Sequence, residues 1–194
     1  MKTNLLISSS IFSLTVFVLF FFDAQIGIFV RKLTPDGLDY LFEFFSNFGL
    51  YLFYLIFAGL LIYALFRKNS ELKSACMTYF KAQLIFSFAV VRSMKILFGR
   101  TRPEYGTEFR FFSVDNQYNS FPSGHSADAF VSGVFLFYLL RHSRYRVVPL
   151  FYALFMALLR IMVNAHHPSD VIAGMGIGIL GAYFMLSKER WKGL

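Results

Sequence analysis

Long apolar runs separated by short polar loops dominate this chain. A helix that crosses a bilayer needs about 20 mostly apolar residues, with about 17 as a lower limit. The candidate spans are roughly residues 5–22, 49–66, 74–97, 125–140, 147–163 and 171–187. The last three are near the lower limit, and they can extend into the loops or lie in a locally thinned bilayer. The pattern predicts an all-α fold, a bundle of six transmembrane helices.

A shorter amphipathic segment lies between the first two predicted spans. In residues 38–48, apolar side chains recur at helical spacing, with Asp39, Glu43 and Asn47 between them. The segment is short for a span and suits a helix in the membrane interface, bordering a lateral entrance for lipid. A plain connector packed on the bundle explains the same pattern, so both interpretations stay open.

Composition supports an integral membrane protein with a single domain, residues 1–194. The chain is 57% hydrophobic and 20% aromatic, which is more apolar surface than a soluble domain of this length could bury. The apolar run 5–22 is too long for an ordinary signal peptide, and no small-x-small cleavage site follows it. We therefore expect a retained first helix.

The net charge of +8 would suggest a nucleic-acid partner in a soluble protein. Here the cations concentrate in short loops between apolar runs, where they set orientation and meet anionic lipid. No basic-aromatic nucleic-acid module is visible in the sequence. We expect no nucleic-acid partner.

The distribution of Lys and Arg predicts the orientation of the bundle. One set of helix ends carries most of the loop cations with few acids: Lys2, Arg67, Lys68, Lys73, Arg141, Arg144, Arg146, Lys188, Arg190 and Lys192. The positive-inside rule places that set in the cytoplasm, so both termini are predicted to be cytoplasmic. The opposite loops, 23–48, 98–124 and 164–170, then face outside.

Four short polar motifs all fall at the outer ends of the predicted helices. They are Lys95 with Arg102 and Pro103, then Pro122, Ser123, Gly124 and His125, then Arg160, then His166 with Asp170. The charges that predict the orientation lie in other loops, so the common side of the motifs is independent support for one shared site. Cations, two histidines and a carboxylate at headgroup level suit a phosphate group.

The phosphate-binding interpretation has structural alternatives. Lys95 and Arg102 could simply snorkel to the interface, and Ser123 and Gly124 could be no more than a helix cap and turn. A planar Arg fork, a mobile Lys charge and the free N–H groups of a helix start nevertheless suit phosphate oxygens. Arg160 follows a strongly apolar run and would be costly there without an anionic partner.

His166 is a candidate nucleophile. Asp170 lies four residues further on, and a carboxylate bonded to one imidazole nitrogen leaves the other nitrogen free to attack. The alternative for Asp170 is that it serves only the helix N-terminus. His167 is the rival nucleophile.

Two further interpretations concern residues outside the motifs. Asp128, one turn into the fourth predicted helix, either bonds His125 or caps the helix start. The loop 98–124, which contains Arg100, is either a solvated lid of mixed charge or a region that contacts a substrate headgroup.

Taken in order, the four motifs resemble the signature of the type 2 phosphatidic acid phosphatase superfamily. That signature runs Lys-x6-Arg-Pro, then Pro-Ser-Gly-His, then Ser-Arg-x5-His-x3-Asp, and the matching residues here lie within 95–170. Leu159 is the one departure, since the family usually has Ser at this position. That Ser lies outside the proton-transfer pair, so its loss concerns positioning rather than the reaction.

The resemblance implies a metal-independent lipid phosphatase. His166 would attack phosphorus and form a phosphohistidine, Asp170 would orient it, and His125 would donate a proton to the leaving oxygen. No carboxylate cluster for Mg²⁺ appears, so we expect no metal or other cofactor. The residues expected to bind the phosphate are Lys95, Arg102, Ser123, Gly124 and Arg160.

The sequence leaves the substrate open. Compact bacterial members of the family act on phosphatidylglycerol phosphate, undecaprenyl pyrophosphate or the 1-phosphate of lipid A, and size and motif layout favour the lipid A group. A phosphotransferase that uses the same phosphohistidine and a non-enzymatic lipid-binding protein are the alternatives. We expect a phosphorylated membrane lipid as the partner, a bacterial inner membrane as the location and a site that faces the periplasm. No protein partner can be inferred.

Overall fold

The structure is a computed structural model that describes residues 15, 17, 20–35 and 37–189. Within these residues the fold is all-helical and contains no extended strand. A π-helix, Gln83–Val90, joins the fourth and fifth α-helices into one rod. The α-helices are α1 (residues 20–32), α2 (Asp39–Phe48), α3 (Leu50–Phe66), α4 (Ser70–Ala82), α5 (Val91–Phe98), α6 (Gly124–Leu139), α7 (Val148–Met162) and α8 (Pro168–Ser187).

Three helical segments of the described chain are long and apolar enough to cross a membrane. They are Asp39–Phe66, Ser70–Phe98 and Pro168–Ser187. They contain the second, third and sixth predicted spans, which are confirmed as helices. The fourth and fifth predicted spans form α6, of 16 residues, and α7, of 15 residues, both shorter than the usual length of about 20. Most of the first predicted span, 5–22, lies outside the described residues.

Helix α6 packs on both α7 and α8, and small residues make these contacts close. A Cβ atom on Gly133 would lie 3.0 Å from the Cβ of Ala153 in α7. A Cβ atom on Gly174 of α8 would overlap the carbonyl oxygen of Ser123 at the start of α6. Because Gly174 lies in the second turn of α8, this contact brings the N-terminal ends of α6 and α8 together.

The N-terminal end of α6 is capped by Ser123. Its Oγ lies 3.4 Å from the backbone nitrogen of Ser126 and accepts a hydrogen bond from the Ser126 hydroxyl at 2.9 Å. Ser123 is fully buried. The structural alternative for Ser123 is therefore present, and its contact with phosphate stays a prediction.

A helix, α2, occupies the predicted amphipathic segment and packs on α7. The rings of Phe45 and Phe155 are 6.3 Å apart, and the Tyr152 hydroxyl donates to the carbonyl oxygen of Gly49 at 2.9 Å. Ser46 is buried. The contacts expected of a packed connector are present, and an interfacial position in the membrane stays a prediction.

Backbone hydrogen bonds hold both ends of the loop 98–124. The N–H of Arg110 donates to the carbonyl oxygen of Gly99 at 2.7 Å, and the N–H of Ser120 donates to that of Arg100 at 3.0 Å. Arg100 is only 1% exposed. The interpretation of the loop as a solvated lid is therefore wrong for its ends, although most of residues 104–117 are exposed.

Candidate active site

Backbone contacts bring three of the four motifs to one end of the bundle. The N–H of Ser123 donates to the carbonyl oxygen of Asp170 at 2.9 Å. The side chain of Lys95 runs past Gly124, where an added Cβ atom would lie 4.0 Å from the Lys95 Cε. The end of α5, the start of α6 and the start of α8 therefore meet.

Arg160, the remaining motif, lies at the same end of the bundle, as a backbone hydrogen bond and the effect of its charge indicate. Its carbonyl oxygen accepts a hydrogen bond from the N–H of His166 at 3.1 Å. The charges of Arg160 and Lys95 act on both His125 and His166, and the charge of Arg102 also acts on His125. The structure thus places the two histidines in one electrostatic environment.

His166 contacts both Asp170 and a serine that the sequence did not reveal. The Nδ1 of His166 lies 3.7 Å from Oδ2 of Asp170 and 3.4 Å from Oγ of Ser120. Ser120 donates its own hydrogen bond to the same Oδ2 at 2.5 Å. His166 and Asp170 are therefore close, as predicted, but 3.7 Å is too long for the predicted direct bond, and the Ser120 hydroxyl bridges the two side chains. With Nδ1 turned towards these groups, Nε2 is the ring nitrogen that faces away from them.

Burial sets the protonation state of His166. Burial lowers the pKa of the His166 imidazole from 6.5 to about 3, although the neighbouring Asp170 raises it. His166 is therefore neutral at physiological pH. Neutral imidazole is the form that can act as a nucleophile.

His167, the rival nucleophile, faces a different part of the loop. Its Nε2 lies 3.2 Å from the carbonyl oxygen of Thr101. Its backbone N–H donates to Oδ2 of Asp170 at 3.0 Å, at the start of α8. Asp170 thus serves the helix N-terminus as well as His166, and this arrangement favours His166 over His167 as the nucleophile.

A buried network of ion pairs behind Asp170 was not predicted from the sequence. Arg100 donates to Oδ1 of Asp170 at 2.6 Å and to Oδ2 of Asp23 at 2.7 Å. The backbone N–H and the hydroxyl of Ser169 also donate to Asp23, at 2.7 and 2.5 Å. Arg100, Asp23 and Asp170 are each at most 3% exposed, so water does not screen these contacts. One guanidinium therefore positions Asp170 and ties it to α1.

The three predicted cations keep donors that a phosphate could use. Lys95 donates through Nζ to the backbone carbonyl of Asn119, and Arg160 donates through one terminal nitrogen to Oγ of Ser46 at 2.5 Å. The Nε–H groups of Arg102 and Arg160 are buried without a hydrogen-bond acceptor. Since buried donors normally have partners, these two are suited to bind an anion. Among the described residues, no group of three or more His, Cys, Asp or Glu side chains is placed to hold a metal ion.

Asp128 and Leu159 lie outside the cluster of motif residues. The hydroxyl of Tyr54 donates to Oδ2 of Asp128, and Oδ1 of Asp128 is buried without a partner. Both interpretations of Asp128, as a partner of His125 and as a helix cap, are therefore wrong. Leu159 is fully buried in the hydrophobic core, so the position at which the family usually has Ser carries a core side chain here.

Comparisons with known proteins agree with the motif pattern. The family model of the PAP2 superfamily matches residues 74–193. The lipid A 1-phosphatase of Rhizobium johnstonii is 33% identical over 181 residues, which cover 85% of this chain and 71% of that protein.

Two crystal structures have a similar fold. Aquifex aeolicus LpxE is 24% identical, with a TM-score of 0.61 over 85% of this chain and 94% of that one. The PAP2-type phosphatidylglycerolphosphate phosphatase of Bacillus subtilis is 18% identical, with a TM-score of 0.62 over 94% of this chain and 97% of that one.

Proposed function

Since the chain belongs to the PAP2 superfamily, we propose that it removes the 1-phosphate of lipid A through a phosphohistidine intermediate and without a metal ion. Family membership and the curated lipid A 1-phosphatase relative make it a lipid phosphatase. The observation that carries the proposed mechanism is the contact of buried, neutral His166 with Asp170 and Ser120.

The first step is attack by Nε2 of His166 on phosphorus. A nitrogen–phosphorus bond forms as the bond between phosphorus and the lipid oxygen breaks. Burial and the nearby cations lower the pKa of His125 in the free protein, so His125 takes up its proton together with the bound phosphate, whose negative charge favours the imidazolium. His125 then gives this proton to the departing oxygen. Asp170, held by Arg100, stabilises the positive charge that develops on His166.

The second step is hydrolysis of the intermediate. Neutral His125 accepts a proton from a water molecule as the water oxygen bonds to phosphorus. The nitrogen–phosphorus bond breaks, inorganic phosphate leaves, and His166 returns to its neutral form. The two histidines therefore exchange no proton directly, and each acts in both steps.

The charge on the phosphoryl oxygens is balanced by cations and helix N–H groups. The unpaired Nε–H groups of Arg102 and Arg160 and the ammonium of Lys95 supply the positive charge. The first-turn N–H groups of α6, at Gly124 and His125, have no intrahelical acceptor and carry the positive end of the helix dipole. Such fixed donors stabilise charge that develops in the transition state.

Replacement of the nucleophile tests the mechanism. We expect His166→Ala to lower kcat by roughly four orders of magnitude or more, measured as phosphate release from lipid A in detergent with EDTA present. His142→Ala is the matched control, because His142 is exposed at the opposite end of the bundle, and it should keep full activity. A labelled phosphoenzyme trapped by acid should be present in the wild type and absent in His166→Ala. Full turnover by His166→Ala would remove the proposed nucleophile.

A substrate panel tests the lipid separately. We expect faster phosphate release from lipid A than from phosphatidylglycerol phosphate or undecaprenyl pyrophosphate, because the curated relative is a lipid A 1-phosphatase. A higher kcat/KM for one of the other lipids would contradict the substrate assignment and leave the phosphohistidine mechanism standing.

A further inference from the structure

We propose that an aromatic tip on the loop 98–124 inserts into the membrane surface beside the candidate site. The tip consists of Phe111, Phe112 and Val114, which are 64%, 76% and 72% exposed. Three apolar side chains with this exposure within four consecutive residues are unusual on a surface that meets only water.

Backbone hydrogen bonds place the aromatic tip beside the last turn of α5. The N–H of Arg110 donates to the carbonyl oxygen of Gly99 at 2.7 Å, and the N–H of Phe112 donates to that of Leu97 at 3.3 Å. The chain reverses at Gly99, whose φ of +51° suits glycine. The loop therefore leaves α5, turns, and comes back beside it.

The position of Leu97 identifies lipid as the occupant. Leu97 belongs to the segment Ser70–Phe98, which is long and apolar enough to span a membrane, and its side chain is 44% exposed. The aromatic tip thus continues the lipid-facing surface of this segment. Aromatic residues are enriched at membrane interfaces, where their rings lie at headgroup level.

Charged residues flank the aromatic tip in the way an interfacial insertion requires. Arg110 precedes it and Asp115 follows it, and both are exposed. The guanidinium of Arg110 lies 5.7 Å from the ring centre of Tyr118. A cation in this place can contact lipid phosphates while the rings enter the acyl region.

The same loop then supplies two contacts of the candidate site. After the tip, the carbonyl oxygen of Asn119 accepts from Lys95, and the hydroxyl of Ser120 donates to Asp170. An inserted tip would fix this segment from one side while the hydrogen bond from Ser120 to the carbonyl oxygen of Arg100 fixes it from the other. The membrane would thus help to hold Ser120 in place.

Tryptophan fluorescence in vesicles tests the insertion without depending on activity. The chain has a single tryptophan, Trp191, so Trp191→Phe gives a silent background for Phe111→Trp in the full-length protein. The matched control is Tyr105→Trp, since Tyr105 is 52% exposed and lies in a separate turn of the loop, which the hydrogen bond between Thr101 and Glu108 closes. The vesicles contain phosphatidylcholine brominated on its acyl chains.

Bromine should cause a large loss of emission from the Phe111→Trp protein and little loss from the Tyr105→Trp protein, and aqueous iodide should give the opposite order. Val114→Trp is a second variant with the same expectation. Quenching of the Phe111→Trp and Val114→Trp proteins by iodide alone would place the tip in water and overturn the proposal. Resistance to both quenchers would place it against protein and would overturn the proposal equally. The proposed reaction could fail without changing either result.

Discussion

At the scale of single residues, the candidate site depends on contacts that surround the motif residues. Ser120 is fully buried and bridges the two members of the predicted nucleophile pair. Asp170 accepts from Ser120, Arg100 and the backbone of His167, so its position is fixed before any substrate arrives. Fixed orientation of this kind is what a nucleophile's partner needs.

Loss of the Ser120 hydroxyl should therefore slow catalysis more than it weakens binding. Ser120→Ala removes one hydrogen bond to a charged group, which contributes about 2 kcal/mol, or roughly a 30-fold change in rate. We expect that loss in kcat with KM nearly unchanged, measured by steady-state phosphate release. Ser93→Ala, at an exposed serine of α5, should behave as the wild type. A loss confined to KM would contradict a positioning role.

The protonation of His166 should make the folded protein sensitive to acid. The pKa of His166 is about 3 in the folded protein and 6.5 for an ordinary histidine. Between these two pH values, the unfolded chain therefore binds one more proton than the folded protein. The stability that the neutral His166 imidazole contributes is fully present above about pH 6.5. It falls as the pH drops towards about 3, at up to about 1.4 kcal/mol per pH unit.

Melting temperatures in detergent measure this effect. Between neutral pH and about pH 4.5, the wild type should lose more stability than His166→Gln, which lacks the titrating group. His142→Gln is the control and should follow the wild type. Parallel curves for the wild type and His166→Gln would show that the protonation of His166 does not contribute to the pH dependence of stability.

At the scale of elements, the close approach of α6 and α8 sets the distance between the two halves of the site. A Cβ atom on Gly174 would overlap the carbonyl oxygen of Ser123. The contact leaves no room for a larger residue, and it lies one turn from Asp170. Small residues at helix contacts in membranes allow such approaches.

Gly174→Ala should separate the two helices and disturb the site. We expect a loss of about 1–3 kcal/mol in stability from overpacking, with a lower kcat, measured by thermal unfolding and phosphate release. Gly59→Ala is the control, because nothing lies within 4 Å of a Cβ atom at Gly59 in α3. Equal effects of the two substitutions would argue against a steric cause.

Apolar run length and motif spacing predicted much of this architecture. They located α3, the α4–α5 rod and α8, and they selected motif residues that the fold brings to one end. They did not reveal the pairing of Asp23 with Arg100, which are 77 residues apart, or of Tyr54 with Asp128, which are 74 apart. Such bonds join separate elements in three dimensions, so no period or spacing along the chain records them.

At the scale of the whole molecule, the ends of the bundle differ in charge. The candidate site lies at the end where α5 and α7 finish and α6 and α8 begin. The other end carries Arg67 and Lys68 after α3 and the basic segment 141–146 between α6 and α7. On the positive-inside rule we propose that the basic end is cytoplasmic and that the site faces the opposite side.

Fused reporters test this orientation. A fluorescent protein fused after Leu194 should fluoresce, and alkaline phosphatase fused there should be inactive, because both reporters would lie in the cytoplasm. Alkaline phosphatase inserted at Gly106, an exposed position in the loop on the site's side, should be active. The reverse pattern would place the site on the cytoplasmic face.

The salt bridge from α1 limits how far this enzyme could be shortened. A fragment cut back to residues 74–193 would retain every motif residue, yet the guanidinium of Arg100 would lose Asp23 and the ring of Phe20, which lies 4.4 Å from it. Asp170 would remain as its carboxylate partner, but the second terminal nitrogen of Arg100 and the backbone N–H of Ser169 would stay buried without the acceptor that Asp23 supplies, which is destabilising. An engineer who transplants the catalytic half into a smaller scaffold would therefore have to supply an acidic side chain from a neighbouring helix.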